Sequence, residues 1–451
     1  LGAGSTAVGI LVEDRQVGGA DRVLKVAKDA EAAERLHAEA QVLGKVDGDD
    51  RIVTLHGVED VGGRTALVLR YAGRTTLAEE LNNRGRLSID VLQRWGTDLL
   101  TALVTLERHG VTHRDIKPSN LGVHQSSARA DSHLMMFDFS MAGVDARNVE
   151  AGTPPYLDPF LGSAGRRQHD TAAERYGAAV VLFEMATGST PQYGPDPNAN
   201  PATVDDDVTV DPSMFEATLA TGMVEFFTSA LAREASRRPD TAEDMLRAWR
   251  QLFDVVDAET TAQVSDSAAD QADATTALSA AGLSPRAVSA LASVHVATVG
   301  ELLALDSTPL NRLVSREAKD TRNEIKSRYQ AWAKRLGKQQ PITSKLMGLD
   351  DAVAILLSAV TGQRSATRKD AAALILGTTP GLDAFASSTE LAEKLGKAPQ
   401  RGIQLLKELQ EDWGQQAETR ELLDAITEIA RQVIADFGGV AAIGTLTAEI
   451  R

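Results

Sequence analysis

One run of eight residues, HRDIKPSN at positions 113–120, constrains the fold and chemistry of this chain more than any other stretch. Asp115 is followed two positions later by Lys117 and five positions later by Asn120. A carboxylate there can accept the proton of an attacking hydroxyl, a lysine can neutralise a phosphoryl group in transit, and a carboxamide can bind a metal ion. These residue types also occur in ordinary solvated loops, but their fixed spacing favours a phosphotransfer site.

The chain begins with a loop of small residues, in which Gly2, Gly4 and Ser5 precede the apolar run that starts at Val8. Short side chains allow backbone N–H groups to approach phosphate oxygens closely. The pattern predicts a nucleotide-binding loop, but the signal is weak on its own because Ala7 stands where a third glycine is expected.

A single lysine, Lys25, lies in the apolar segment Arg22–Val26, which reads as a strand. Glu39 follows fourteen positions later, within the stretch 30–43 where apolar residues recur at helical spacing. An ion pair between the two would hold the lysine beside the phosphates. Taken separately, each has an ordinary alternative, an edge-strand lysine or a solvated helix residue.

A second metal ligand is predicted at Asp138, where a buried strand ends before the aromatic Phe139. The glycine expected after that aromatic residue is Ser140 here. Oxygen ligands of this kind suit Mg²⁺ and also Mn²⁺, so the sequence leaves both metals open.

Together these motifs resemble the protein kinase superfamily over about residues 1–255. The resemblance implies an α+β, bilobal fold in residues 1–254, with a small β-rich lobe, a large α-helical lobe, ATP as phosphate donor, and serine or threonine of a protein as acceptor. It implies catalytic roles for Asp115 and Lys117, metal ligation by Asn120 and Asp138, and phosphate anchoring by Lys25 with Glu39. Nucleotide contacts are expected from Gly2, Gly4, Ser5 and Val8, and at the hinge from Leu69, Tyr71 and Ala72.

Two positions depart from the family pattern. Phe160 stands where an acidic residue is expected, so the usual ion pair with an arginine such as Arg238 is predicted not to form. Glu174 stands where aspartate is expected at the start of a long buried helix that ends at Gly188.

The segment after Asp138 has no obvious phosphorylation site of its own, which makes switching by loop phosphorylation less expected. We therefore hypothesise that Asp145 and Glu150 offer standing negative charge to Arg114. Lys25, Asp115 and Asp138, whose loss would indicate a pseudokinase, are all present, so active catalysis is predicted.

Composition adds limits to this assignment. A length of 451 residues corresponds to about three domains. The chain has no cysteine, which excludes disulfides and thiolate zinc sites. No apolar run reaches the ~18–20 residues of a membrane span, and a cytoplasmic location is expected. Leu1 is already at the edge of the phosphate loop and the pattern predicts the start of a new helix at 446–450, so both ends are expected to be cut.

Behind the kinase-like region, residues 255–276 are rich in Ala, Asp, Ser, Thr and Gln and predict a flexible acidic linker. Residues 277–338 resemble the C-terminal domain of the bacterial RNA polymerase α subunit, a helix-hairpin-helix fold. Such hairpins bind DNA phosphate through backbone N–H groups. Ten basic residues against five acidic ones between 281 and 340 fit DNA contact or plain packing equally, and Ala318 replaces the hairpin glycine.

The last region, 345–451, contains a predicted helix-turn-helix formed by helices at 388–396 and 398–409. Its second helix would present Gln400, Arg401, Gln404 and Lys407 to a DNA groove. Four basic against five acidic residues between 388 and 413 give little attraction for phosphate, so protein binding is an equal alternative.

The order of these regions resembles the serine/threonine kinases of bacterial phage growth limitation systems, a BREX-type phage defence. That resemblance implies action with a DNA methyltransferase, a phosphatase-like protein and an ATPase. The alternative is a DNA-associated regulator or scaffold whose kinase-like domain is an ATP-sensing pseudokinase.

Overall fold

The structure, a computed structural model, describes most of the chain in separate stretches. These are residues 2–3, 7–15, 18–125, 131–162, 165–196, 200–257, 266–305, 310–311, 314–337, 349–360, 366–376, 378–379, 387–415, 419–420, 422–423 and 426–427. The predicted contacts of Gly4 and Ser5 and the predicted helix at 446–450 lie outside these residues.

Alternating apolar residues near the start of the chain form an antiparallel sheet of five strands in the order β1-β2-β3-β5-β4. The strands are β1 (Gly2–Ala3), β2 (Ala7–Asp14), β3 (Ala20–Ala27), β4 (Leu55–Asp60) and β5 (Thr65–Arg70). Gly9 of β2 faces Lys25 of β3 across the sheet. The sheet therefore carries the lysine in its central part, between β2 and β5.

One helix, α1 (Ala30–Leu43), packs on this sheet and completes the small lobe. Asp29 begins the helix by accepting a hydrogen bond from the N–H of Ala32, as an N-cap residue does. Leu36, Glu39 and Leu43 lie on one face at helical spacing and all three are buried. A glutamate in an apolar stripe needs a charged partner, which directs attention to Lys25.

The large lobe is mostly helical, with a small three-stranded sheet at its edge. Its helices are α2 (Leu77–Arg84), α3 (Ile89–Arg108), α4 (Thr171–Thr187), α5 (Ala220–Ala230) and α6 (Ala242–Leu252), and its strands are β6 (Thr75–Thr76), β7 (Leu121–His124) and β8 (His133–Met136). The predicted helix that ends at Gly188 is confirmed as α4, and Gly188 has a φ of 79°, which suits glycine. A Cβ at Gly96 would lie 2.4 Å from the Trp249 ring, so α3 and α6 approach this closely only because Gly96 has no side chain.

Residues 266–336, which we call the helical module, follow the large lobe in the same compact unit. Its helices are α7 (Asp266–Gln271), α8 (Pro285–Ala292), α9 (Val299–Ala304) and α10 (Lys319–Leu336). Leu291, Leu302, Ile325 and Trp332 are buried in its core. Thr298 caps α9 together with Glu301, as the predicted capped turn requires.

The predicted flexible linker is too long at its C-terminal end. Ala269 and Ala272 are buried in the core of the helical module, and the indole N–H of Trp332 donates to the Ala269 carbonyl at 2.8 Å. Residues 258–265 lie outside the described part of the chain. A segment rich in alanine and polar residues predicts a linker. On α7, however, the small alanine side chains allow the helix to pack closely against Trp332.

The second compact unit, residues 343–451, contains four helices in its described part. They are α11 (Leu349–Ser358), α12 (Ala366–Ile375), α13 (Ser388–Lys394) and α14 (Pro399–Gln415). A Cβ at Gly402 would lie 1.9 Å from the carbonyl oxygen of Ser388, so glycine is required where α13 meets α14. Arg401, predicted to face DNA, is paired with Glu408 of its own helix at 2.7 Å. In the described stretches of both units, no helix combines the length and the apolar content that crossing a membrane requires.

Candidate active site

Residues of the five-stranded sheet, of the hinge and of the large lobe line a cleft of about 450 Å³. Lys25, Leu69, Tyr71, Ala72 and Asp138, five of the residues selected from the sequence, line it. On β2, Ala7 and Gly9 line the cleft whereas Val8 does not. Side chains alternate between the two faces of a strand, so the residues on either side of Val8 face the nucleotide space.

Lys25 joins the two carboxylates expected to surround it. Its Nζ lies 2.8 and 2.7 Å from Oε1 and Oε2 of Glu39 and 2.7 Å from Oδ1 of Asp138. Burial alone would lower the pKa of Lys25, but Glu39 and Asp138 outweigh it and the pKa is raised. The lysine therefore stays positively charged, and it ties helix α1 to the aspartate that follows β8.

Asp138 is held as a carboxylate in this position. Burial favours its neutral form, but the ion pair with Lys25 and a hydrogen bond from the Ser140 hydroxyl lower its pKa below the ordinary value. Ser140, which replaces the expected glycine, thus supports the charged form of Asp138. The φ of Asp138 is +66°, a backbone conformation that non-glycine residues adopt rarely and that is often found at functional sites.

The catalytic-loop residues converge on Asp115. The Thr153 hydroxyl donates to Asp115 Oδ1 at 2.6 Å, Lys117 Nζ lies 2.8 Å from Oδ2, and Asn120 Nδ2 donates to Oδ2 at 3.1 Å. Lys117 also donates to the Thr153 hydroxyl at 2.9 Å. The three residues selected from the spacing of the run 113–120 are thus brought together, with Thr153 as a fourth member.

The His113 ring lies behind the loop of residues 113–120 and supports it, a role that was not predicted from the sequence. The ring is fully buried, lies 4.6 Å from the Phe139 ring, and burial lowers its pKa. The neutral ring donates from Nε2 to the Phe137 carbonyl (3.0 Å) and accepts at Nδ1 from the N–H of Asp115 (3.3 Å). It therefore links the strand end before Asp138 to the backbone of Asp115.

Glu174 fixes the same loop from the helix behind it. Its two carboxylate oxygens accept the backbone N–H groups of His113 and Arg114, each at 2.8 Å. Burial raises the pKa of Glu174 to about 7. The extra methylene relative to aspartate does not prevent two-point contact with the loop.

We hypothesised that Asp145 and Glu150 supply negative charge to Arg114. In the structure, the hydrogen bonds of the Arg114 side chain go to backbone carbonyls. The Arg114 guanidinium donates to the backbone carbonyls of Val144, of Asp145 at 2.9 Å, and of Asn148 at 2.7 Å. The Asp145 carboxylate instead bonds to Arg147, which lowers its pKa to about 2. Carbonyl oxygens thus take the hydrogen bonds of the Arg114 guanidinium. Burial lowers the pKa of Arg114, and the negative charges of Glu174 and Asp145 oppose that change, so the part of the hypothesis that concerns the charge of Asp145 is supported.

The prediction that Arg238 has no acidic partner is wrong. Asp158, two residues before Phe160, receives Arg238 Nη1 at 2.6 Å and Nη2 at 3.2 Å, and both side chains are fully buried. Arg166 also donates to Asp158 at 2.7 Å. Phe160 contributes its ring face, with the Arg233 guanidinium 4.8 Å from its centroid. The acidic partner of Arg238 is thus Asp158 and not the residue at position 160. A position-by-position comparison of motifs did not reveal this partner.

The residues around the cleft suit a hard divalent cation bound together with phosphate. Asp138 provides carboxylate oxygens, and Asn120 uses its Nδ2 toward Asp115, which leaves its amide oxygen for a metal. Within the described residues, no group of three or more His, Asp or Glu side chains is placed to hold a metal without other ligands. Mg²⁺ commonly binds through one or two protein oxygens plus substrate phosphates, so this donor set fits it.

A family model described as the protein kinase domain matches residues 1–249. The chain therefore belongs to the protein kinase family, and the family resemblance identified from its motifs is confirmed. The small antiparallel-sheet lobe and the mostly helical remainder agree with that family.

The similarity to one bacterial kinase extends over nearly the whole chain. The chain is 30% identical to "Probable kinase PglW" of Streptomyces coelicolor over 98% of its own length and 35% of that protein. It is 29% identical to "Serine/threonine-protein kinase PkaA" of the same species, over 43% of this chain and 39% of the relative. A "Probable cAMP-dependent protein kinase catalytic subunit" of Encephalitozoon cuniculi is 26% identical over 36% of this chain and 48% of the relative. The chain spans less than half the length of each of these proteins.

Proposed function

We propose that this protein is a serine/threonine protein kinase that transfers the γ-phosphate of ATP to a protein hydroxyl. The observation that supports this most strongly is the assembly of two sets of charged side chains. Lys25 lies with its two carboxylates at the cleft, and His113 joins the cluster around Asp115 to the strand end before Asp138. Pseudokinases lose members of this set, whereas here each one has a charge partner in reach.

In the proposed reaction, Asp115 orients the acceptor hydroxyl and takes its proton as the new oxygen–phosphorus bond forms. The bond from the γ-phosphorus to the bridging oxygen breaks, and ADP leaves. Lys117, 2.8 Å from Asp115, is placed to neutralise the phosphoryl group during transfer. Thr153 bridges the two side chains and keeps them in register.

Lys25 is proposed to bind the α- and β-phosphates, with Glu39 holding it in place. Leu69, Tyr71 and Ala72 line the part of the cleft where adenine would bond to the hinge. Asn120 and Asp138 would hold Mg²⁺, or Mn²⁺, which supplies neutralisation of the phosphate charge when bound. The nucleotide-binding roles proposed for Gly2, Gly4 and Ser5 remain predictions from the sequence.

Incubation of the full chain with labelled ATP, Mg²⁺ and a generic protein acceptor tests the proposal. We expect phosphate on serine and threonine of the acceptor, and none when Asp138 is replaced by asparagine. Unchanged labelling in Asp138→Asn would contradict the proposed metal role. ATP binding without any transfer by the unaltered chain would favour the ATP-sensing alternative.

We further propose that the kinase acts in a bacterial anti-phage defence system, in the cytoplasm. The similarity to the protein named Probable kinase PglW over 98% of this chain supports this. Proposed partners, from the resemblance identified in the sequence, are a DNA methyltransferase, a phosphatase-like protein and an ATPase. Phage plating on a host that carries the system with Asp115→Asn should rise to that of a host without it, and continued restriction by the variant would overturn the role of phosphotransfer.

A further inference from the structure

Two arginines of the helical module, Arg286 and Arg316, face the large lobe. Arg286 of α8 donates to Asp90 Oδ1 at 2.8 Å and to the Gln93 side chain at 2.7 Å. The backbone N–H of Ala318, at the start of α10, donates to Asp90 Oδ2 at 3.0 Å. Asp90, whose side chain is only 2% exposed, thus accepts from the backbone N–H of Ala318, whose role the sequence left open between DNA contact and packing.

A second contact of the module leads toward the nucleotide cleft. Arg316 Nη2 donates to Glu80 Oε1 at 2.6 Å, and the same oxygen accepts the Thr75 hydroxyl at 3.1 Å. Thr75 lines the cleft. Glu80 lies on α2 and is 5% exposed, so its carboxylate is paired inside the protein. Besides Arg316, Arg84 of the same helix places its Nε 3.6 Å from Glu80 Oε2.

The rest of this interface is closed by matched polar groups. The Ser88 hydroxyl donates to Glu317 at 2.7 Å, and the N–H of Ile89 donates to the Ser289 hydroxyl at 3.0 Å. Arg94 donates to the backbone carbonyl of Arg316. The guanidinium of Arg316 lies 5.8 Å from the centroid of the Trp95 ring. Arg316 is therefore held by its backbone and by its side chain, and its contact with Glu80 has a fixed direction.

We propose that the helical module is a built-in positioning element of the nucleotide site, in which Arg316 fixes Glu80 and, through it, Thr75 at the rim of the cleft. The inference rests on the proposed binding of ATP. Helix α2 begins at the cleft, where its N-cap Thr76 and Glu79 of its first turn also line the wall. Holding α2 from outside thus keeps this wall in the shape that accepts the nucleotide. Arg316, one of the basic residues that the sequence left open between DNA contact and packing, is used here for packing.

The test compares ATP affinity of the full chain, measured by direct titration, in a double-mutant cycle of Arg316→Gln and Glu80→Gln. Each single change is expected to weaken ATP binding about fivefold. The double variant is expected to be no weaker than either single one, because both remove one contact. Thr75→Val should reproduce part of the loss. Lys319 is an exposed lysine three residues from Arg316. The variant Lys319→Gln is therefore the matched control and should bind ATP as the unaltered chain does.

ATP affinity unchanged in Arg316→Gln, or losses that multiply in the double variant, would overturn the proposal. Equal losses in Lys319→Gln and Arg316→Gln would point to general charge rather than this contact. If Arg316→Gln does not fold, Arg316→Lys replaces it, and an intermediate loss is expected because lysine keeps the charge without the two-pronged geometry. An unaltered chain that binds no ATP would refute the proposed function instead, and coupling of Arg316 with Glu80 in the free energy of unfolding would then still report on the contact.

Discussion

The nucleotide cleft and the interface of the helical module both depend on partly or fully buried charges, yet they differ in access to solvent. The side chain of Asp138 in the cleft is 37% exposed, whereas that of Asp90 in the interface is 2% exposed. Each carboxylate faces a cation at 2.7–2.8 Å. The same pairing chemistry therefore leaves one carboxylate available to a ligand and seals the other into the fold.

The comparison separates two kinds of consequence. Removing a charge from the open cleft should damage chemistry more than stability, because water can replace lost contacts. Removing a charge from a sealed site should damage stability, because the remaining partner is left buried and uncompensated.

The largest effect is expected from Asp115→Asn, which removes the proposed base but keeps the shape of the side chain. We expect kcat to fall about 10³-fold with little change in melting temperature, as measured by phosphate transfer and thermal unfolding. Asp145→Asn is the control, since Asp145 is an exposed aspartate that bonds to Arg147. A loss of activity in Asp145→Asn as large as that in Asp115→Asn would contradict the assignment of the base.

The next effect sharpens the sealed side of the comparison. Asp158→Ala leaves Arg238 buried without its carboxylate, which should lower the free energy of unfolding by about 3–5 kcal/mol. Asp170→Asn removes a negative charge from the other side of Arg166, where the Asp170 side chain is 42% exposed, but keeps an oxygen that can cap α4. This change should cost less than about 1 kcal/mol. Denaturant unfolding measures both, and similar losses in the two variants would show that burial is not the deciding factor.

A pH dependence is expected from Glu317 in the interface. Burial raises its pKa to about 7 from an ordinary value of 4.5. Between these values the folded chain keeps a proton that the unfolded chain has released, so the free energy of unfolding falls as pH rises. Relative to Glu317→Gln, the unaltered protein should lose stability on the order of 3 kcal/mol from pH 4.5 to 7.

The comparison with Glu317→Gln separates the effect of Glu317 from that of Glu174, because Glu174, whose pKa is also raised to about 7, is common to both proteins. Unfolding by denaturant at several pH values measures the difference. A difference that stays constant, or that grows in favour of the unaltered protein as pH rises, would show that Glu317 is already charged in the folded state.

The smallest effect is expected in the second unit, where the ion pair is open. Arg401 and Glu408 of α14 are 37% and 35% exposed. Arg401→Gln should therefore change the free energy of unfolding by less than about 1 kcal/mol. Thermal unfolding provides the measurement, and a loss comparable to that of Asp158→Ala would mean that exposure does not predict the strength of these pairs.

The proposed catalytic set was accessible from sequence because its members occupy fixed positions in short motifs. Asp115, Lys117 and Asn120 share one loop, and Asp138 follows a recognisable buried strand. Val8 was selected from the sequence, whereas Ala7 and Gly9 line the cleft. The alternation of side chains along a strand puts Ala7 and Gly9 on one face and Val8 on the other, but it does not show which face meets the cleft.

Long-range compensation was harder to predict. Asp158 lies 80 residues before Arg238 in the chain, and its position in the family motif is not the acidic one. Arg114 was assigned carboxylate partners because charge can be read from sequence, whereas backbone carbonyls are present at every position and their direction cannot be read.

The amino-acid sequence by itself determined the family, the order of the lobes and the members of two clusters, because these follow from local motifs with fixed spacing. One cluster is Lys25 with Glu39 and Asp138, and the other is Asp115 with Lys117 and Asn120. Only the tertiary structure decided that Asp158 replaces the missing acid, that alanines 269 and 272 belong to a core, and that Arg286 and Arg316 face the large lobe. Each of these depends on which distant surfaces meet. A charged residue looks the same in sequence whether it faces water, DNA or a buried carboxylate, and its partner is fixed only when the chain has folded.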